Sequence, residues 1–339
     1  MMRLPKFEYI SPTTVDEASA LLDEYGSKAM ILAGGTDLLV AAKLRNIQPV
    51  YIISLKRIKE LKGITYQEGE GLKIGAMTPL YQVRQDPNVR THYQALALAA
   101  AVVGSPQIQR MGTLGGNICL NTRCYFYNQS SSWRKHRPIC LKMGGNVCHV
   151  IPKGKGCYAV FSADTPPALI ALDAKVKLIG SKGERVVSMR DLYTGDGRQP
   201  IALNQGEILA EIQLPPITKQ VSIYLKHRIR KAIDFPLFGV AANILLNDRN
   251  DRKDTCIEAK IILNAVGPAP VIVSEAETLL KDSLLSYGVI IEAAKMAARA
   301  AYPVANIDST PAHRREIAGL LTQRALEILA KGRFAGNAE

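Results

Sequence analysis

Two short segments constrain this chain more than any other feature. Ile31-Leu-Ala-Gly-Gly-Thr-Asp-Leu38 and Gly112-Thr-Leu-Gly-Gly-Asn117 each combine paired glycines, a threonine and a hydrogen-bonding side chain. Glycine lets a backbone approach another group closely, and amides at a helix start can face an anion. The first segment follows an apolar run (29–33) and precedes a helix-patterned stretch (36–45). Neither is a G-x-G-x-x-G or a P-loop with its GK[ST] ending. Either one alone is equally a plain turn capped by Thr or Asp. Two in one domain point to a diphosphate held from both sides.

The surrounding pattern alternates. Residues 13–25 carry apolar side chains at helical spacing behind a Thr cap, and VYIISL (50–55) is a β-branched strand, so the first 55 residues read as βαβ-like. GLKIGAMTPL (71–80) reads as a strand running into a helix start, and 92–104 as a helix. Residues 166–189 read as a hairpin turning at SKGE, and 207–215 as another strand. Three strands follow (YLKHRIR, VAANILL, IEAKIILNAVG), then an Ala-rich helical region over 274–333. The change of texture divides the 339 residues at 1–219 and 220–335, about two domains' worth. The longest apolar stretches (95–104 and 237–246) reach about ten residues, against roughly 20 for a membrane span. The first residues have no apolar signal region, so the expected compartment is the cytoplasm.

Charge and cysteine are concentrated in one place. The net charge is +13, which favours anionic partners or ligands. Between Asn121 and Phe161 lie Arg123, Arg134, Lys135, Arg137, Lys142, Lys153 and Lys155 and no acid. Five of the six cysteines fall between Cys119 and Cys157. In a reducing compartment such a group reads as metal ligands or redox thiols before disulfides. Cys124, Cys140, Cys148 and Cys157 are separated by fifteen, seven and eight residues. Four thiolates can hold a tetrahedral zinc or an iron–sulfur cluster, and no CxxC spacing decides between them. Nearby aromatics (Tyr125, Phe126, Tyr127, Trp133, Tyr158, Phe161) keep a nucleic-acid patch open, and buried structural thiols remain a further alternative. Cys119 and Cys256 read as packed residues, and His136 and His149 as loop residues. A four-thiolate [4Fe-4S] core carries a net charge of about −2, which seven cations would suit; they would equally suit an acidic electron carrier.

Five ordered segments resemble the FAD-binding subunits of the xanthine dehydrogenase family of molybdenum hydroxylases: LAGGTDLL, QIQRMGTLGGNI, SADTPPALIALDA, EILAEIQLP and YLKHRIRKAIDFPLFGVAA. The resemblance spans nearly the whole chain. It implies an α+β fold: a two-lobed FAD-binding domain of the PCMH or vanillyl-alcohol-oxidase type, then a small domain of a three-stranded antiparallel sheet and a helical bundle. It implies that Ile31, Leu32, Ala33, Gly34, Gly35, Thr36, Asp37 and Leu38, with Thr113, Leu114, Gly115, Gly116 and Asn117, bind the FAD phosphates and ribitol. Val103 would contact the flavin, Asp164 would bond the ribitol or ring, and Leu209 and Lys226 would line the isoalloxazine. One departure is Gln107-Ile-Gln-Arg110, where the family often has Gln-Ile-Arg-Asn. It puts an arginine role at position 109 in doubt, with Arg110 as a substitute. The second departure is length. Asn117 and Asp164 stand 47 positions apart, with an insertion over about 119–160. It resembles the β subunits of 4-hydroxybenzoyl-CoA reductases, whose extra loop carries a [4Fe-4S] cluster, here on Cys124, Cys140, Cys148 and Cys157.

The resemblance therefore implies an oxidoreductase subunit without a substrate site of its own. Reduced ferredoxin would pass electrons through the cluster and FAD to two [2Fe-2S] clusters on a small subunit. From there they would reach a molybdenum-cofactor large subunit, in a dimer of heterotrimers, for reductive dehydroxylation. The alternative is the FAD subunit of an oxidative hydroxylase of xanthine or CO dehydrogenase type. A zinc-stabilised nucleic-acid-binding protein and a stand-alone flavin oxidase are more distant rivals. The expectation is no nucleic acid and no membrane span.

Overall fold

The computed structural model describes residues 3–151, 153–217, 219–247, 255–305 and 309–331. Strands β1 (Glu8–Ile10), β2 (Ala29–Leu32) and β3 (Tyr51–Ser54) pair in parallel in the order β1-β3-β2. Parallel neighbours need crossover connections, and helices α1 (Val15–Tyr25) and α2 (Leu38–Lys43) lie in them. Thr14 caps α1 by accepting from the Glu17 amide, and one face of α1 buries Val15, Ala18 and Leu22. The first glycine turn is the link from β2 to α2.

A second sheet is antiparallel, in the order β4-β5-β8-β6-β7. Its strands are β4 (Ile64–Gln67), β5 (Gly71–Gly75), β6 (Lys175–Gly180), β7 (Gly183–Ser188) and β8 (Ile208–Leu214). Between β5 and β6 come α3 (Leu80–Gln85), α4 (Pro87–His92), α5 (Gln94–Ala101), α6 (Pro106–Met111) and α7 (Leu114–Ile118). After them come α8 (Ser131–Arg134), in the Cys-rich segment, and α9 (Thr165–Ala171). The expected hairpin over 166–189 is thus confined to β6 and β7. Its first part is α9, because prolines are tolerated in a first helical turn and Ala-Leu-Ile-Ala then continues the helix into the core. Leu72, Ile74, Val176 and Ile212 of the sheet share that core with Leu96 and Ala99 of α5 and Leu169 of α9.

The C-terminal region is a meander of β9 (Gln220–His227), β10 (Phe238–Leu246) and β11 (Thr255–Asn264), covered by α10 (Ser274–Leu280), α11 (Tyr287–Ala300) and α12 (Pro311–Ala330). Two-residue strands β12 (Val271–Ile272) and β13 (Ser283–Leu284) add to β11, making five strands where three are expected. So short a segment carries no readable alternation. Strand side chains alternate between faces. Val240 and Ala242 of β10 pack under the helices, while Ala241 joins the core of the second sheet. Burial on both faces explains the unbroken apolar run there. Residues 332–335, the end of the expected second domain, lie outside the described residues. Among the described residues no helix is long and apolar enough to cross a membrane.

Candidate functional site

A cavity of about 570 Å³ opens where the β2–α2 turn meets the α6–α7 turn, within the ~300–1,000 Å³ range of ligand sites. Its wall brings together Ile31, Ala33, Gly34, Gly35, Thr36, Asp37 and Leu38 with Val103, Thr113, Gly115, Gly116, Asn117, Asp164 and Leu209. Three expected residues stand off the wall. Leu32 and Leu114 are buried side chains packed into the protein, and Lys226 sits behind Asp164, bonded to it.

The two turns do different work. Among the described residues no acceptor is paired with the amides of Gly34, Gly35, Thr36 or Asp37. The second turn has less of that freedom: only its Thr113 amide is without an acceptor among the described residues. Its amides at Leu114, Gly115 and Asn117 donate to the carbonyls of Thr78, Ala76 and Thr113, and that of Gly116 to Thr113 Oγ1. The first turn offers a run of amides, and the second offers the Thr113 amide and a close backbone approach. A Cβ on Gly115 would lie 2.7 Å from Ala76 Cβ, and one on Gly34 2.1 Å from the Met111 carbonyl oxygen. The glycines let the two turns touch. Asn117 does not face a ligand with its oxygen, which accepts from Thr165 N and Oγ1.

At the far end of the cavity Asp164 is 3% exposed. It accepts from Tyr224 Oη and Lys226 Nζ, both at 2.8 Å, and Asn264 Nδ2 donates to Tyr224. Burial raises the Asp164 carboxyl's pKa against the pull of Lys226, and burial lowers that of Lys226 against the pull of Asp164. Both side chains are nearly inaccessible, at 2% for Lys226 and 5% for Asp164. Lys226→Met strands a buried carboxylate, so it is expected to cost about 3–5 kcal/mol in chemical denaturation. Adding Asp164→Asn in the same chain should return much of that loss. Equal losses in the single and double variants would show that the pair contributes no coupling.

The Cys-rich insertion is folded onto this cavity. An antiparallel bridge between Arg123 and Val160 closes its base. Arg123 lines the cavity, pairs with Asp37 of the first turn and stacks over Phe235 at 4.2 Å. Arg134 is buried and donates to Asn46 Oδ1 at 2.7 Å and to the carbonyls of Tyr127 and Gln129. Arg137 lies 3.6 Å above the Trp133 ring. Lys142 donates to Asn121, Thr122 and the Gly197 carbonyl. Four of the seven cations are therefore engaged within the chain, and the basic segment is not one open patch. His149 stacks on Phe126 at 3.9 Å, with its Nε2 2.8 Å from the Pro138 carbonyl.

The thiols of Cys124, Cys140, Cys148 and Cys157 lie within one another's electrostatic reach. Cys124 feels Cys157 and Cys140, and Cys157 feels Lys142, Cys148 and Cys140. Burial pushes the Cys124 and Cys157 thiols up, while backbone amides of Tyr127 and Phe126, and of Ala159, pull them down. The amides of Tyr127 and Ile151 donate to the sulfurs of Cys124 and Cys148 at 3.3 and 3.4 Å. Among the described residues no three His, Cys, Asp or Glu are grouped to hold one metal ion.

Several wall residues lie in segments noted in the sequence but are not among those expected at the site. Ser162 is buried, and its hydroxyl has no partner among the described residues. It stands two positions before Asp164, which is the only hint. Arg123, Ile233, Asp234 and Phe235 also line the cavity. The Gln109 departure resolves differently from expectation. Arg110 is exposed over the Tyr81 ring. It is Arg84 that reaches Gln109, donating from Nη1 to Oε1 at 2.6 Å. Unpaired amides, an unpartnered hydroxyl and a buried carboxylate fit a dinucleotide's phosphates and polyol.

Comparison with known proteins agrees with that chemistry. Residues 5–217 match the family model described as the FAD binding domain in molybdopterin dehydrogenase. This chain is an FAD-binding subunit of the molybdenum hydroxylase family. Residues 223–329 of the subunit match the CO dehydrogenase flavoprotein C-terminal domain. The subunit is similar to the nicotinate dehydrogenase FAD-subunit of Eubacterium barkeri, at 28% identity over 83% of this chain and 81% of that one. It is also similar to the carbon monoxide dehydrogenase medium chain of Hydrogenophaga pseudoflava, at 28% over 95% and 96%. Its fold superposes on the reconstituted CO dehydrogenase from Oligotropha carboxidovorans with a TM-score of 0.79 and 26% identity, covering 98% of this chain and 100% of that one. The α+β architecture and the FAD chemistry expected from the sequence both stand.

Proposed function

We propose that this FAD subunit carries electrons between the other subunits of a molybdenum hydroxylase complex and an external redox partner. Residues 1–219 form its flavin domain, with the insertion at about 119–160, and 220–335 its C-terminal domain. The free amides of Gly34 to Asp37 and the Thr36 hydroxyl would hold the FAD phosphates. Val103, the second turn, Ser162, Asp164 and Leu209 would enclose the polyol and ring, with Lys226 fixing Asp164 from behind. FAD supplies the ability to take up and release electrons singly or in pairs. The expected partners are a molybdenum-cofactor large subunit and a small subunit with two [2Fe-2S] clusters. Relatives named as dehydrogenases favour oxidative turnover, in which this subunit discharges electrons.

One observation favours a finer reading. Arg123 stands in the flavin cavity wall, and Cys124 follows it in the chain. Four cysteines in one folded segment, two of them accepting backbone amides at sulfur, suit a [4Fe-4S] cluster, which takes one thiolate at each of four irons. Its ligands need not crowd like those of a single ion. A low-potential cluster beside the flavin suits a strongly reducing donor. This second reading is the flavin subunit of a 4-hydroxybenzoyl-CoA reductase, driven by reduced ferredoxin. Anaerobic purification followed by iron, sulfide, zinc and flavin analysis tests it. The expected result is about four irons and four labile sulfides per chain, with one FAD. Zinc without labile sulfide would remove the cluster, and a flavin reduced by NADH but not by ferredoxin would return the oxidative reading.

A further inference from the structure

The turn from Ala101 to Gly104 joins α5 to α6 and presents Val103 and Gly104 to the cavity. Carbonyls at a helix end lack partners within the helix. Here all four of the turn's carbonyls are taken by groups from elsewhere. Gln109 Nε2 donates to both Ala101 O and Val103 O at 2.9 Å. Lys226 Nζ and Arg228 Nη1 donate to Val102 O at 3.0 and 3.2 Å. The Ile233 amide donates to Gly104 O at 2.9 Å. One turn is thus held from two sides, by α6 of the flavin-binding part and by β9 with its following loop.

Gln109 is held on both ends of its amide. It is 2% exposed. Its oxygen accepts from Arg84, so its nitrogen must face the two carbonyls. A flipped amide would set oxygen against oxygen twice. Lys226 links the turn to Asp164, since its ammonium serves both Val102 O and the carboxylate. A shift of the turn would therefore move the Val103–Gly104 wall relative to Asp164.

We propose that Gln109 is a positioning residue for the flavin. By fixing the Ala101–Gly104 turn it sets the position of the wall formed by Val103 and Gly104 relative to the Asp164–Lys226 pair bonded to the same turn. This rests on the FAD reading and adds a residue outside the cavity wall to the flavin site. Arg84 acts one step further back, by orienting the Gln109 amide.

The experiment uses the full chain stripped of flavin and titrated with FAD. It records Kd, the visible spectrum of the bound flavin, and the Tm of the flavin-free protein. Gln109→Leu keeps the volume and loses every hydrogen bond. It is expected to raise Kd about tenfold, since only part of the cost of three lost hydrogen bonds reaches the flavin, and to shift the bound flavin's absorption bands. Gln109→Glu keeps the acceptor for Arg84 but turns an oxygen on both carbonyls, and should weaken binding at least as much. Arg84→Met should act in the same direction, more weakly, with an unchanged Tm, and it decides the matter if the Gln109 variants do not fold. Wild-type Kd and wild-type spectrum in Gln109→Leu and Arg84→Met, even with a lowered Tm, would overturn the proposal. A wild-type chain that takes up no FAD would overturn the FAD reading instead.

Discussion

Gly34→Ala is expected to yield a chain that purifies without its flavin. A Cβ at this position would stand 2.1 Å from the Met111 carbonyl oxygen and 2.9 Å from Gly112 Cα. Both neighbours are backbone, so no side chain can swing away. The two glycine turns must part, and the free amides of Gly34 to Asp37 move off their alignment. Overpacking of this kind costs about 1–3 kcal/mol in stability. The loss in FAD affinity should be larger, about a hundredfold or more, or roughly 2.7 kcal/mol, because the ligand needs both turns in place. Gly288→Ala provides the control. Nothing lies within 4 Å of its Cβ, and it sits in the exposed first turn of α11, where alanine is a better helix former. Equilibrium titration with FAD separates the two variants. A Gly34→Ala chain that binds FAD like the wild type would mean that the close contact of the turns is irrelevant to the cofactor.

The second large effect concerns the insertion. On the proposed cluster reading, Cys140→Ser removes most iron and labile sulfide from anaerobically isolated protein while leaving one FAD per chain. Cys140 is buried at 7% exposure and lies off the flavin cavity wall. Its carbonyl accepts from the Met143 and Gly145 amides, so the local turn survives the change of one atom. Cys256→Ser is the matched control, since that thiol is buried within β11 of the C-terminal sheet. Iron content that is unchanged in Cys140→Ser, or equally lost in Cys256→Ser, would dissociate the four thiols from any cluster.

The distribution of these roles was only partly visible beforehand. The glycine pairs are readable as turns and VAANILL as a strand, though not that both of its faces are covered. What each turn does is not readable. The second turn's Leu114 and Gly115 amides go to Thr78 and Ala76, carbonyls about forty positions earlier, and spacing says nothing about that encounter. The charge of the insertion misleads for the same reason. Arg123 and Arg134 find Asp37 and Asn46, each more than eighty positions away, and so cease to be free cations. Gln109 was visible only as a departure from a motif. Its partner Arg84 lies on α3, a contact made by packing of α3 against α6 and not by any local pattern.

The bridge between Arg123 and Val160 has a consequence for how such chains diverge. Two neighbouring strand positions mark where the insertion leaves the parent backbone and where it rejoins it. The entropy of closing a loop grows only slowly with its length, so a segment pinched at its neck can be acquired, exchanged or discarded as one block. The ancestral scaffold would hardly register the event. On the proposed cluster reading, a wiring change of that sort would turn a two-terminal relay into a three-terminal one without redesigning its housing.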